Sequence, residues 1–168
     1  MGAGILPVAI YKGQLYFLFG KENRHADTPG WADFGGGNEK GESPLQTAIR
    51  ECSEELTGFL GSQQEIRNRI HEKGVFMIDS EDNTYRIHVL PIEYDDALPH
   101  YFNANQRFLQ RHLDPEIYRK SKIFEKSEIR WFSLADMKRC RGQFRIYYRK
   151  LVDLIHGRRD EIRAFIRV

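Results

Sequence analysis

The sequence predicts a mixed α/β (α+β) fold built around one glycine-rich loop and the helix it opens. Three observations carry that prediction. Short runs of strand length interleave with stretches of helical period. At 168 residues the chain can bury one full core but is short for two domains, so a single domain is expected over 1–168. Gly35-Gly36-Gly37-Asn38-Glu39-Lys40-Gly41-Glu42 then runs into a segment whose apolar and acidic residues fall on different helical faces.

Taken in order, residues 3–11 (Ala-Gly-Ile-Leu-Pro-Val-Ala-Ile-Tyr) read as a first strand and Gln14–Phe19 as a second, joined by a Lys12-Gly13 turn. Pro7 has no N–H to give a ladder, so it predicts a sheet edge or a bulge there. Residues 21–30 are polar and end in Pro29-Gly30, a loop. Trp31–Phe34 is a short strand feeding the glycines. The helix is expected over about 43–57, with Ser43 as N-cap and Pro44 in the first turn. Residues 62–72 read as a second, polar helix or a loop. Strands follow at 74–79 and 84–93 around a polar turn at 80–83.

A helix is expected around Phe102–His112, then a final strand from Glu128 to Leu134, with Ala135-Asp136-Met137 starting a turn. Phe144, Tyr147, Leu151, Leu154 and Ile155 recur at helical period, predicting a helix over 143–156 packed on the sheet. Asp160–Ile166 extends this basic C-terminal helical segment, 142–168.

Composition excludes some classes of function. Hydrophobic residues at 40% with 30% charged describe a globular chain rather than a disordered one. No apolar run approaches the ~20 residues of a membrane span, so no membrane partner is expected. Cys52 and Cys140 are too few and too far apart for a disulfide framework or a zinc site. A reducing, intracellular and cytoplasmic setting is therefore expected.

Charge is uneven: residues 1–100 carry a net −7 and residues 101–168 a net +9. Lys138, Arg139, Arg141, Arg145, Arg149 and Lys150 crowd the basic third. That segment reads either as a cradle for RNA or another polyanion, or as a solvated helix face.

On a wheel at about 100° per residue, Leu45, Ala48, Ile49, Cys52, Leu56 and Phe59 share one face. Glu51, Glu54 and Glu55 share another arc, which predicts three outward carboxylates close together. Like charges at this spacing destabilise a helix. Hard divalent cations such as Mg²⁺ offset that repulsion, because they bind clustered carboxylate oxygens together with substrate phosphates. Glycines let the backbone approach a ligand closely, and a helix start favours phosphate.

The pattern Gly36-x5-Glu42-x7-Arg50-Glu51-Cys52-x-Glu54-Glu55 resembles the Nudix box, the metal-binding loop–helix–loop of the Nudix pyrophosphohydrolases. Here the box spans 36–59. Trp31 and Gly35–Gly37 sit where that family has an aromatic and glycines. The strand at 128–134 resembles one that many members carry, extending the resemblance over 3–137. Phe34 stands where many members have proline, and Leu56-Thr57 places two residues before Gly58 where the common box has one.

The resemblance implies an α/β/α sandwich with a mixed central sheet, and hydrolysis of a phosphoric anhydride using Mg²⁺ or Mn²⁺. It implies that Glu51, Glu54 and Glu55 ligate the ion, directly or through waters, with a backbone carbonyl near Gly36 completing the shell. Gly36, Gly37 and Glu42 belong to the binding loop. Arg50 would orient a glutamate by a charge-assisted hydrogen bond, and Glu42 would do the same for the loop or outer shell. The general base is Glu54 or Glu51 from the box, or Glu125 or Glu128 from the loop before the Trp131 strand.

Substrate is less legible. Trp31, Phe76, Tyr85, Tyr101 and Phe102 are candidates either to stack on a base or to pack the core. The proline that accompanies ADP-ribose hydrolysis in the family and the proline-rich marker of its NADH hydrolases are both missing. Three readings stand: cleavage of a nucleoside diphosphate linked to another moiety, free or capped; mRNA decapping or diphosphoinositol-polyphosphate hydrolysis using the basic third; or a silent nucleotide-binding module.

Overall fold

A computed structural model describes residues 1–23 and 25–167. The strands are β1 (Gly2–Tyr11), β2 (Gln14–Glu22), β3 (Trp31–Ala32), β4 (Phe34–Gly36), β5 (Phe76–Asp79), β6 (Tyr85–Pro91) and β7 (Lys126–Ser133). The helices are α1 (Pro44–Glu55), α2 (Gln63–Lys73), α3 (Ala97–His112), α4 (Pro115–Lys120), α5 (Leu134–Arg139), α6 (Arg149–Gly157) and α7 (Arg159–Ile166). The main path of the sheet runs β3-β2-β1-β6-β5, with β4 also on β1 and β7 also on β2. β1 and β6 are parallel and the other pairs antiparallel, so the sheet is mixed.

β1 is buried on both faces because its alternate residues serve two cores. Ala3, Ile5 and Ala9 face Ala48, Ile49 and Cys52 of α1, Ile66 of α2 and Phe102 of α3. Leu6 and Val8 face the other way, onto a core that includes Phe144, Tyr148, Leu151, Ile155 and Ile162. Helices therefore cover both faces, as an α/β/α sandwich requires.

Pro7 is a correction: β1 lies mid-sheet, not at an edge. Its antiparallel neighbour is β4 over Ala3–Ile5 and β2 over Val8–Tyr11. The Val8 carbonyl accepts from Ile92 N–H at 2.8 Å on the β6 side. Pro7 thus faces the opposite side, at the changeover between β4 and β2, where no ladder bond is lost.

Three other expectations change. The Trp31–Phe34 strand is broken at Asp33 into β3 and β4. Residues 143–148 are not one α-helix: Phe144 bridges Trp31, Ile146–Tyr148 make a single 3-10 turn, and the α-helix begins only at Arg149. Helical period there comes from burial of Phe144 and Tyr148 on the sheet rather than from helix. Residues 134–139 form a helix rather than a turn, because Ser133 and Asp136 make a complete capping box. Among the described residues no helix is long and apolar enough to cross a membrane, and Cys52 and Cys140 are buried free thiols.

Candidate active site

The start of α1 is fixed locally. Ser43 Oγ accepts from Gln46 N–H, while the Gln46 side chain accepts from Ser43 N–H. Just before it, the Glu42 carboxylate ties the glycine loop to the helix. It accepts from Glu39 N–H at 2.9 Å, from the Thr47 hydroxyl at 2.8 Å, and from Arg50 at 2.8 and 3.1 Å. The Arg50 guanidinium, followed by these backbone and hydroxyl donors, lowers the Glu42 carboxyl to a pKa of about 2.

Arg50 is the hub of the rim. It also donates to Glu51 at 2.7 Å, to Glu54 at 3.4 Å and to the Gly37 carbonyl at 3.2 Å. A guanidinium can serve so many acceptors because its donors form a planar fork. Gly36 is glycine for a spatial reason: a Cβ there would lie 2.7 Å from the Glu51 carboxylate. Gly37 has no such neighbour and contributes its carbonyl.

The three carboxylates that converge are Glu51, Glu55 and Glu125, with one oxygen of each within 4.8 Å of the others. Glu54 lies outside this group, its side chain 42% exposed on the Arg50 side. The outward arc of three acids therefore needs correcting. Glu55 is only 4% exposed, because seven residues bring it about 20° from Ala48 on the wheel, at the edge of the apolar face. Glu125 enters from the turn before β7. Glu128 is half-buried within β7, paired with Lys21, and outside the cluster.

Behind the cluster lies a buried cation. Lys126 is fully buried, 2.5 Å from Glu22 and 3.6 Å from Glu55, and Arg145 binds Glu22 at 2.9 Å. Burial opposes the Lys126 ammonium, but Glu55 and Glu22 outweigh it and hold its pKa up. Burial pushes the Glu55 carboxyl well up despite Lys126, and its Oε2 is buried without a hydrogen-bond partner. Burial and then the nearby Glu51 charge raise Glu125 too. Close by, buried Asp33 accepts from the Tyr85 hydroxyl at 2.8 Å. Burial raises the Asp33 carboxyl to about 7.

Lys126, Glu22 and Asp33 escape a reading of the sequence. Each is a polar residue in a strand-length run, which reads as surface until partners from distant elements are known. The candidate aromatics divide. Phe102 and Trp31 are buried, with Arg130 over the Trp31 ring, and the Tyr85 hydroxyl is committed to Asp33. Phe76 packs near Phe165, and Tyr101 is exposed.

Most of the C-terminal cations have internal partners. Arg141 pairs with Asp153, Arg139 with Asp136, Arg145 with Glu22, and Lys150 approaches Glu81 at 3.9 Å. Arg149 donates to the carbonyls of Phe144 and Gly142.

A family model described as the NUDIX domain matches residues 2–154. No curated protein matched the chain in sequence. Among solved structures, a Caenorhabditis elegans Ap4A hydrolase in a binary complex is similar at 17% identity and a TM-score of 0.58, covering 98% of this chain and 99% of that one. A Francisella tularensis bifunctional NMN adenylyltransferase/ADP ribose pyrophosphatase is similar at 16% identity and a TM-score of 0.54, over 92% of this chain and 39% of that one. At such identities the likeness is one of fold. The family match over most of the chain goes further: this protein belongs to the Nudix family and is a hydrolase of phosphoric anhydrides.

Proposed function

We propose that the protein is a Mg²⁺- or Mn²⁺-dependent pyrophosphohydrolase cleaving a nucleoside diphosphate linked to another moiety. The observation that carries this is the convergence of Glu51, Glu55 and Glu125, with an unpartnered buried oxygen on Glu55. Three hard carboxylate donors suit a hard divalent cation, and a buried carboxylate oxygen without a partner suits a missing ligand. Glu51 and Glu55 would hold the ion, with Gly36 beside Glu51, and Glu54 would reach it through water from the rim. Such an ion screens phosphate charge and makes a water a better nucleophile.

The chain's own residues do the rest. Arg50 fixes the Glu51 carboxylate and, through Glu42 and Gly37, the loop that faces it. Lys126 holds Glu55 from behind. Glu125, beside Glu51 and Glu55 but on a separate turn, would take the proton of the attacking water. Water adds across one P–O–P bond: its oxygen joins one phosphorus, and the other phosphate leaves with the electron pair. The pairing of Arg139, Arg141, Arg145 and Lys150 with carboxylates weakens the case for residues 138–150 as a surface that tracks an RNA backbone. Retention of every box acid with Arg50 argues against a silent module. The two free thiols suit a cytoplasmic setting.

The test is phosphate release over a panel of nucleoside triphosphates, dinucleoside polyphosphates, nucleotide sugars, capped RNA and diphosphoinositol phosphates, with and without Mg²⁺. Turnover should require the ion and fall by about 10²-fold or more in Glu51→Gln and in Glu125→Gln, with a smaller loss in Glu54→Gln. Absence of turnover of every compound, in protein that binds Mn²⁺ and remains folded, would sink the proposal.

A further inference from the structure

A cleft leads away from the carboxylate cluster along the segment between β6 and β7. Its first lobe, about 550 Å³, has Glu125 in its wall together with Arg119, Lys120 and Lys122. Its second, about 810 Å³, is lined by Lys21, Gln110, Arg111, Leu113 and Pro29 among others. Asn23, Pro115 and Tyr118 line both lobes, so the two adjoin.

This wall is held in place. Asn23 N–H donates to the Glu125 carbonyl at 3.0 Å and Asn23 Nδ2 to the Phe124 carbonyl at 3.1 Å. From α3, the buried Gln106 donates to the Ile123 carbonyl at 3.1 Å. Tyr118 stacks on buried Phe124 at 4.3 Å between ring centroids. The cations are thus carried on a turn anchored to the same residues that place Glu125.

Charge sets what the cleft would take. Among the described residues its walls carry five lysines and arginines and two carboxylates, Glu22 and Glu125. Lys126 and Arg145 neutralise Glu22, and Glu125 belongs to the cluster. Among the described residues, Arg119, Lys120 and Lys122 make no ion pair, in contrast to the paired C-terminal cations. Cations at the end of α4 complement its dipole. That role asks nothing of Lys122 or of the adjoining lobe. Unpaired cations beside a low-dielectric wall favour a polyanion over a neutral group.

We propose that this cleft is the subsite for the part of the substrate beyond the scissile anhydride, and that it selects a polyphosphate chain. Arg119, Lys120 and Lys122 bind phosphates further along than those at the carboxylate cluster, and the second lobe receives a nucleoside. The inference rests on the hydrolase reading above and narrows it: the linked moiety carries additional phosphates rather than a sugar.

Two measurements test it. Inorganic tripolyphosphate is titrated calorimetrically into the full chain with Mg²⁺ present. In Arg119→Ala/Lys120→Ala/Lys122→Ala, affinity should weaken roughly tenfold or more, because three charge-assisted contacts are lost. In Lys138→Ala/Arg139→Ala, which removes cations outside the cleft, affinity should hold within about twofold. Separately, KM in the triple variant should rise about tenfold for a dinucleoside tetraphosphate and less than about threefold for a nucleotide sugar.

Equal KM increases for both substrates overturn the inference. So does unchanged tripolyphosphate affinity, or an equal loss in the Lys138/Arg139 variant. If nothing is turned over, the hydrolase reading fails, and the titration still decides the subsite. All three side chains are exposed, and an unchanged melting temperature verifies that the variant is folded.

Discussion

Two cations flank α1, and they solve the same problem in different media. Arg50, on the rim, gathers Glu42, Glu51 and Glu54 through partly exposed contacts. Lys126, itself fully buried in the interior, gathers Glu22 and Glu55, which are almost as deeply buried. On the rim, water shares the work, so the pairing there adds little net stability and mainly fixes geometry. In the interior each charge has left water at a large cost, and only its partners offset that cost. The rim should therefore be a device for orientation, and the interior a condition for folding. Between them sit the three converging carboxylates.

Lys126→Met tests the interior, with the largest expected effect. The thioether fills the lysine's volume but strands Glu55 and leaves Glu22 to Arg145 alone, and the loss should be about 3–5 kcal/mol. Adding Glu55→Gln should restore part of it, because an amide removes the buried carboxylate that Lys126 alone had paired, whereas Glu22 keeps Arg145. Thermal unfolding of the single and double variants measures both. A Lys126→Met protein as stable as the parent would mean the pair is not the constraint described here.

Asp33 carries the same contrast into pH. Its folded pKa of about 7 lies above the unfolded value of about 4. Between these values the unfolded chain has lost its proton while folded Asp33 keeps its own. Stability should therefore fall as pH rises through that window, by about 2–4 kcal/mol, and level off above it. Asp33→Asn retains an acceptor for Tyr85 and should remove this component. Urea midpoints from pH 4 to pH 8, parent against variant, isolate it from the other buried carboxyls.

Arg50→Lys tests the rim. A lysine keeps the charge but cannot reach Glu42, Glu51, Glu54 and the Gly37 carbonyl together. Turnover should drop about 10–100-fold, as for residues that orient a metal's ligands, while the melting temperature shifts by no more than about 3 °C. A large stability loss with intact turnover would reverse the roles assigned to the two cations.

How much of this was legible in the sequence follows the same division. The rim is local: Glu42, Arg50, Glu51 and Glu54 lie within thirteen consecutive positions on one loop and helix, so spacing alone groups them. The N-cap at Ser43 with Pro44 in the first turn is local too, and it places the start of α1. The interior is non-local. Glu22, Lys126 and Arg145 come from three separate segments, 123 residues apart at the extremes, and no spacing rule joins them. Glu55 was misplaced in part for the same reason: the wheel puts it at the edge of the apolar face but does not show that Lys126 waits there to let a carboxylate be buried. Pro7 looked like an edge because its partner changeover depends on where β4 and β2 end. Glu125 sat between these cases, named from a family pattern but grouped with Glu51 and Glu55 only by the fold.

The smallest expected effect lies at the exit of α1, which neither cation reaches. Leu56 N–H bonds to Cys52, Thr57 N–H to Glu54, and Gly58 N–H closes back on the Ser53 carbonyl at 3.1 Å. This turn needs two successive left-handed residues, Thr57 at φ 50° and Gly58 at φ 79°. A β-branched residue is a poor occupant of that region. The Thr57 hydroxyl is also buried without a hydrogen-bond partner. Thr57→Gly should relieve strain of about 1–2 kcal/mol while losing about 0.5–1 kcal/mol to the freer unfolded chain. The net gain, between about 0 and 1.5 kcal/mol, would raise the melting temperature by up to about 5 °C. Thr57→Ala removes the hydroxyl but keeps the strained backbone, so it separates the two causes. If alanine stabilises as much as glycine, the unpartnered hydroxyl is the cost. If only glycine does, the extra residue in the box is carried by a strained backbone two residues from Glu55.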